Sequence, residues 1–277
     1  MERDINIWNK LPASLQTRVA VVKMNILPRI NFVSMMIPLP PPAEYWKKVD
    51  KLIRGYIWGG KHPKIRYATL QRPKAEGGLA LPNFKLYHQS FQLRAIRTWL
   101  TGGDDVAWRE VEETIVAPIK LEEIVYSGIS AKQCRLRFGP IVSYSVDNFK
   151  LVEKSLGGNW KWHVNTPLWG NPNIRRGGRP FESAGWAERG VQYLGDVFDP
   201  GGLSKFEDLC RMYELPKTSF FLYLQLRSAL RAGGVPLGAE LQTHPIESLV
   251  STPSTRGMVS IIYSQLQLQS QRDMPLV

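Results

Sequence analysis

Cysteine is nearly missing from this chain, and so is every familiar catalytic signature. Only Cys134 and Cys210 occur, far apart and without partners at metal-ligand spacing. That excludes a disulfide framework or a cysteine-based zinc site and suits a reducing compartment. Long apolar runs are missing too. The most apolar region, Ile30 to Leu39, is broken by Asn31, Ser34 and Pro38, so no membrane span is expected. Behind Met1-Glu2-Arg3-Asp4 there is no apolar core of a secretory leader. H-E-x-x-H, C-x-x-C and G-x-S-x-G are all absent, and His62, His88, His163 and His244 stand isolated in sequence.

Two near-motifs fail on chemistry. Gly55 to Lys61 has the G-x-x-x-x-G-K spacing of a phosphate loop, but His62 stands where a Mg²⁺-ligating hydroxyl is required. The segment also closes a predicted helix, whereas a phosphate loop opens one. Asp104-Asp105 lacks the flanking apolar strands that aim paired polymerase carboxylates at a metal, so it reads as a surface turn. Glu112-Glu113 and Glu122-Glu123 read as solvated helix faces. The expectation is therefore no catalytic residue, no metal, no cofactor and no small-molecule substrate.

Acid is scarce in one place, and there positive charge accumulates. Residues 1–100 hold seventeen Lys/Arg against five Asp/Glu, which accounts for the whole net charge of +12. Residues 101–277 are balanced at nineteen of each. Between Asp50 and Glu76 there is no acid at all, while Lys51, Arg54, Lys61, Lys64, Arg66, Arg72 and Lys74 fall there. A field so segregated attracts a polyanion, and phosphodiester backbone is the commonest one in a cell. Tyr45, Trp46, Tyr56, Trp58 and Tyr67 are interleaved with these cations. Core packing is the stronger reading for Trp46, whereas Trp58 and Tyr67 suit packing and base stacking equally.

Periodicity predicts a mainly α chain. Leu15, Val19, Val22 and Ile26 make one stripe of a helix from Ser14 to Leu27, which Pro28 should end. A second helix, Ala43 to Trp58, starts after prolines and stops at Gly59-Gly60. Lys61 to Pro82 reads as a loop or small hairpin around Gly77-Gly78, and Asn83 as the cap of a helix to Leu100. Later helices are expected near 142–156, 183–192, 218–231 and 258–268, with a capping box opening at Ser204. The domain reading is a basic helical bundle over 1–101, a connecting region over 102–165, and a second helical region with irregular loops over 166–277. No fixed-period repeat is visible.

Several strings resemble the block that follows the polymerase domain in reverse transcriptases of LINE-type, non-LTR retrotransposons. They are Trp8-Asn9-Lys10-Leu11-Pro12, Arg18-Val19-Ala20-Val21-Val22-Lys23-Met24-Asn25-Ile26-Leu27-Pro28-Arg29, Ile57 to Arg66, and Pro73 to Phe84. Shorter likenesses are Thr166 to Pro172 and Tyr223 to Ser228. The resemblance is dense to about residue 100 and patchy beyond. It implies a thumb-like bundle and a wrist-like region gripping template RNA or an RNA–DNA duplex, with localisation in nucleus and cytoplasm. Carried over by position, it makes Arg18, Lys23, Arg29, Lys61, Lys64, Arg66 and Lys74 phosphate contacts; Lys51, Arg54 and Arg72 join them from charge mapping. The family's aspartate-bearing palm has no counterpart in these residues, so polymerase activity is not carried over. The expected function is a non-catalytic nucleic-acid grip. The alternative is a structural remnant that packs on a polymerase palm and binds nothing by itself.

Overall fold

The computed structural model describes residues 1–102, 106–117, 119–157, 160–251 and 254–272. The fold is mainly α. Along the chain run α1 (Glu2–Asn9), α2 (Leu15–Val21), a π turn (Val22–Ile26), α3 (Leu27–Met36), α4 (Ala43–Trp58), α5 (Tyr67–Gln71) and α6 (Phe84–Thr101). Then come α7 (Ala107–Val116), α8 (Leu121–Tyr126), α9 (Ala131–Leu156) and the hairpin β1 (Arg175–Arg176) with β2 (Arg179–Pro180). After α10 (Ala184–Ala187) a second small hairpin pairs β3 (Phe198–Asp199) with β4 (Gly202–Leu203). The last helices are α11 (Phe206–Tyr213), α12 (Phe220–Gly233), α13 (Ile246–Val250) and α14 (Thr255–Arg272).

Contacts group the chain into two compact units, Met1–Ala95 with Ser254–Val277, and Ile96–Pro253. In the first, Val19, Val22, Ile26 and Ile30 pack against Val49, Ile53, Tyr56 and Ile57 of α4, all within 5% of full burial. Burying each such aliphatic side chain contributes roughly 1.5–3 kcal/mol. The C-terminal helix α14 belongs to this unit. Its Tyr263 ring stacks on Tyr87 at 3.9 Å and its hydroxyl accepts from the Asn83 amide at 3.0 Å. Gln267 donates to the Gln71 carbonyl at 2.7 Å.

Pro28 does not end the first long helix. The chain passes through a π turn, in which the Leu27 amide bonds the Val22 carbonyl, and stays helical to Met36. A proline inside a regular α-helix clashes with the carbonyl four residues back. The wider turn just before it relieves that clash and absorbs an extra residue, a recurrent cause of local helix distortion. The combined run Leu15–Met36 is long and apolar enough in composition to cross a membrane, yet its Val19–Ile30 stripe lies in the core.

Other boundaries move for local reasons. α9 is two helices joined at a kink: non-helical Gly139, with a φ of 80°, separates a first helix from one that begins at Pro140 and covers the expected 142–156. Ser183 caps α10 as a helix start, but the helix is short and Gly190 turns the chain with a φ of 93°. The capping box at Ser204 does not form: Lys205 is the N-cap, without a side-chain bond. The Ser204 carbonyl accepts from the Tyr223 hydroxyl at 2.9 Å instead. In the second unit the core gathers Leu168, Ile174, Phe181, Trp186, Leu194 and Leu226, among others.

Candidate nucleic-acid interface

The basic block of the first unit is built on the end of α4. Gly59 caps that helix in the left-handed conformation, where a Cβ is disfavoured. The last carbonyls of a helix have no intrahelical donor and carry partial negative charge. Arg18 meets both needs. Its Nη1 donates to the Tyr56 carbonyl at 2.7 Å and to Asn9 Oδ1 at 2.9 Å, and its guanidinium lies 5.1 Å from the Tyr56 ring centre. Lys23 reaches across to the loop: its Nζ donates to the Leu79 carbonyl at 2.9 Å. Burial, and then the neighbouring Lys74 charge, lower its pKa. Arg29 is paired with Asp4. These three cations of the first block are thus engaged within the unit.

Of the two expected forms of the second block, a loop or a small hairpin, the structure has a loop that also contains a short helix. After the exposed Lys61 to Arg66 comes α5, then a 3-10 turn at Lys74–Glu76. The Leu70 carbonyl accepts from both Leu79 and Leu81, at 3.1 and 2.9 Å, and the Arg72 carbonyl accepts from Ala80 at 2.8 Å. The loop doubles back so closely that a Cβ at Gly78 would overlap the Arg72 carbonyl. That closure fixes the backbone that carries the exposed Arg72 and Lys74.

Lys51, Arg54, Lys61, Lys64, Arg66, Arg72 and Lys74 are all exposed. Among the described residues none of them is in a salt bridge. Arg54 lies over the Tyr67 ring at 4.4 Å. Asp50, one turn before it, has its pKa raised by burial and partly lowered again by Arg54. The interleaved aromatics do not form a stacking platform. Tyr56 is 1% exposed, and Tyr45, Trp46, Trp58 and Tyr67 pack partly buried against the same core. Tyr67 is pushed strongly upward in pKa by burial. What this surface offers a ligand is therefore cationic side chains.

The Gly55-to-Lys61 spacing lies at a helix C-terminus. The amides of Gly59, Gly60 and Lys61 bond the carbonyls of Tyr56, Gly55 and Trp58 at 3.0–3.1 Å, so they are not turned toward a phosphate. Asp104-Asp105 lies outside the described residues.

Three features of the second unit were hidden in the sequence. Glu112 is not on a solvated face: it is 8% exposed and accepts from Trp99 Nε1 at 2.8 Å. His163 and His244, far apart in sequence, are buried with ring centres 5.0 Å apart. His244 Nε2 bonds Glu153 Oε1 at 3.1 Å while its Nδ1 accepts from the Ile246 amide, which fixes the tautomer with the proton on Nε2. His163 Nδ1 has no partner among the described residues, and burial followed by the neighbouring His244 lowers its pKa to about 3. This buried pair, packed among Tyr126, Phe149 and Trp160, joins four chain segments.

The third feature is the hairpin β1–β2. Gly177 and Gly178 have φ of 57° and 81°, the two positive values of a type I′ turn. Arg175, Arg176 and Arg179 project from it, all exposed. A run of Gly and Arg carries no hydrophobic alternation, so periodicity gave no sign of a strand pair here. No protein-family model matches the chain.

Proposed function

We infer that this chain is the non-catalytic, nucleic-acid-gripping part of a LINE-type reverse transcriptase, holding template RNA or template–cDNA duplex through backbone phosphates. The observation that carries this reading is the set of seven exposed cations between Asp50 and Glu76, without a single acid between those two residues. Lysine and arginine in such a field release condensed counterions on binding, which supplies sequence-independent affinity. The partly buried aromatics favour phosphate contact over base stacking as its mode. Arg18 and Lys23, in this reading, act by holding α4 and the 61–80 loop in place, while the exposed seven meet the backbone. The resemblance of the same segments to the family's post-polymerase block supports the assignment.

The test is binding of the whole chain to an RNA–DNA duplex at about 50 and 200 mM salt, beside a Lys61/Lys64/Arg66→Ala variant. Each neutralised phosphate contributes about −0.9 to the log–log salt slope on a duplex. Steep binding that weakens and flattens in the variant is expected. A flat response in the parent chain rejects the reading.

A second reading has one observation in its favour. From Phe32 to Leu39 the end of α3 and the residues just after it expose Phe32, Val33, Met35, Met36, Ile37 and Leu39, each at least 40% accessible. Contiguous apolar surface of this kind marks a protein contact, as it would for a remnant that only packs on a polymerase palm. That remnant would self-associate and show no salt-dependent binding; a monomer that unfolds cooperatively counts against it.

A further inference from the structure

The second unit has no net surplus of positive charge along its sequence, yet one place on it repeats the pattern of the basic block. Between Glu153 and Glu182 there is no acid, and Lys154, Lys161, Arg175, Arg176 and Arg179 fall in that stretch. The three arginines stand on a two-residue turn. In the register of the hairpin, Arg176 is directly opposite Arg179, so both side chains leave the same face. Like charges placed directly across a strand pair destabilise it, and no carboxylate forms a salt bridge with either one among the described residues.

Packing offsets that cost only in part, at the limit of cation–π reach. Arg176 lies 5.9 Å from the Phe181 ring centre. Arg175, exposed like Arg176, donates its Nε to the Pro172 carbonyl at 2.8 Å. The root of the hairpin is fixed. The Asn173 carbonyl lies 2.6 Å from where a Cβ on Gly233 would stand, at the end of α12, and Lys161 Nζ bonds the Gly233 carbonyl at 3.4 Å. A rigid base, a tight turn and three planar forks match bidentate recognition of phosphate oxygens.

From this we propose that the Arg175–Arg179 hairpin is a second nucleic-acid contact, in which a backbone phosphate bridges Arg176 and Arg179 and relieves their repulsion. An anionic membrane is the poorer partner. Surface-bound elements pair cations with exposed apolar residues, and between Leu151 and Met212 no large hydrophobic side chain is exposed among the described residues. The proposal rests on the reading above for the kind of partner, but on different residues for the contact.

The experiment uses the full chain and four proteins: the parent, Arg175/Arg176/Arg179→Gln, Lys61/Lys64/Arg66→Ala, and the two sets combined. Binding to a mixed-sequence DNA duplex and to an RNA–DNA duplex is followed from about 50 to 200 mM salt. Losing the bridged phosphate and a second one at Arg175 flattens the slope by about 1.8, so over that range the parent loses about 12-fold more affinity than the hairpin variant. The Lys61 set alone should retain salt-sensitive binding that the combined variant loses. An Arg→Lys triple, keeping charge but not the forks, should fall between parent and Gln variant.

A hairpin variant with the parent's slope overturns the proposal while leaving the basic block untouched. Loss in the hairpin variant with parental binding by the Lys61 set rejects the block and keeps the hairpin. No binding by the parent rejects both. Arginine-dependent binding to phosphatidylserine vesicles, with none to either duplex, assigns the hairpin to a membrane and overturns it as well. Thermal melting of each variant shows whether it has kept its fold, which exposed Gln substitutions should not disturb.

Discussion

At the scale of single residues, charge in this protein does two kinds of work that composition cannot separate. Arg18 and Lys61 count equally toward the net charge, yet one bonds the Tyr56 carbonyl at the end of α4 and the other stands in solvent. Glu112 shows the same division among acids. Burial raises its pKa, and the Trp99 hydrogen bond lowers it less than burial raises it. A carboxyl whose folded pKa lies above its unfolded value holds its proton more firmly when folded. Its stabilising effect is present below the unfolded value and is lost as pH rises through the folded one. At neutral pH the buried carboxylate is therefore a cost. Glu112→Gln, which keeps an acceptor for the indole, should be at least as stable as the parent at about pH 7 and lose that advantage near pH 4. Glu112→Ala orphans a buried N–H and should cost about 1–3 kcal/mol. Urea midpoints at the two pH values decide it; a Gln variant as weak as the Ala variant would refute the account.

At the scale of elements, legibility followed how local the cause was. α4 and α6 were readable because their signals sit inside or beside them: prolines and Gly59 for one, Asn83 for the other, whose Oδ1 accepts from the Leu86 amide at 3.2 Å. The helix through Pro28 was not readable, since a π turn is a response to the proline and leaves no residue signature. The basic block was visible as charge. Its division into engaged and exposed cations was not, because Arg18 and Lys23 find partners 38 and 56 residues away. The buried histidine pair was invisible for the same reason. The loop that presents Arg72 and Lys74 depends on a glycine for space. Gly78→Ala places a methyl group into the Arg72 carbonyl, so the turn must open. Overpacking of this kind costs about 1–3 kcal/mol. Duplex binding should weaken although no charge is removed. Parental affinity together with a parental melting temperature in this variant would show that the turn is not needed.

At the scale of the whole molecule, each unit carries a buried, neutral histidine. In the first, burial lowers the pKa of His88 to about 4; in the second, His163 is lowered to about 3. For a base whose folded pKa is depressed, the unfolded chain takes up the proton first, so stability is full above about 6.5 and declines as pH falls toward the folded value. Each group can withdraw at most about 1.4 kcal/mol per pH unit in that window. His163→Gln should accordingly lose less stability than the parent between about pH 7.5 and 5. Equal losses, read from urea midpoints, would remove His163 as a cause.

The grouping of α14 with the first unit has a consequence in time. A ribosome delivers residues 96–253 as one uninterrupted stretch, and that unit can fold as soon as it is out. The basic unit is split around it: Tyr87 and Gln71 wait for Tyr263 and Gln267, which emerge nearly two hundred residues later. At about 5–20 residues per second, that delay lasts roughly ten to forty seconds. Of the two units, the basic one is thus the second to be finished, and during that delay the nascent protein carries its strongest positive field on its less complete unit.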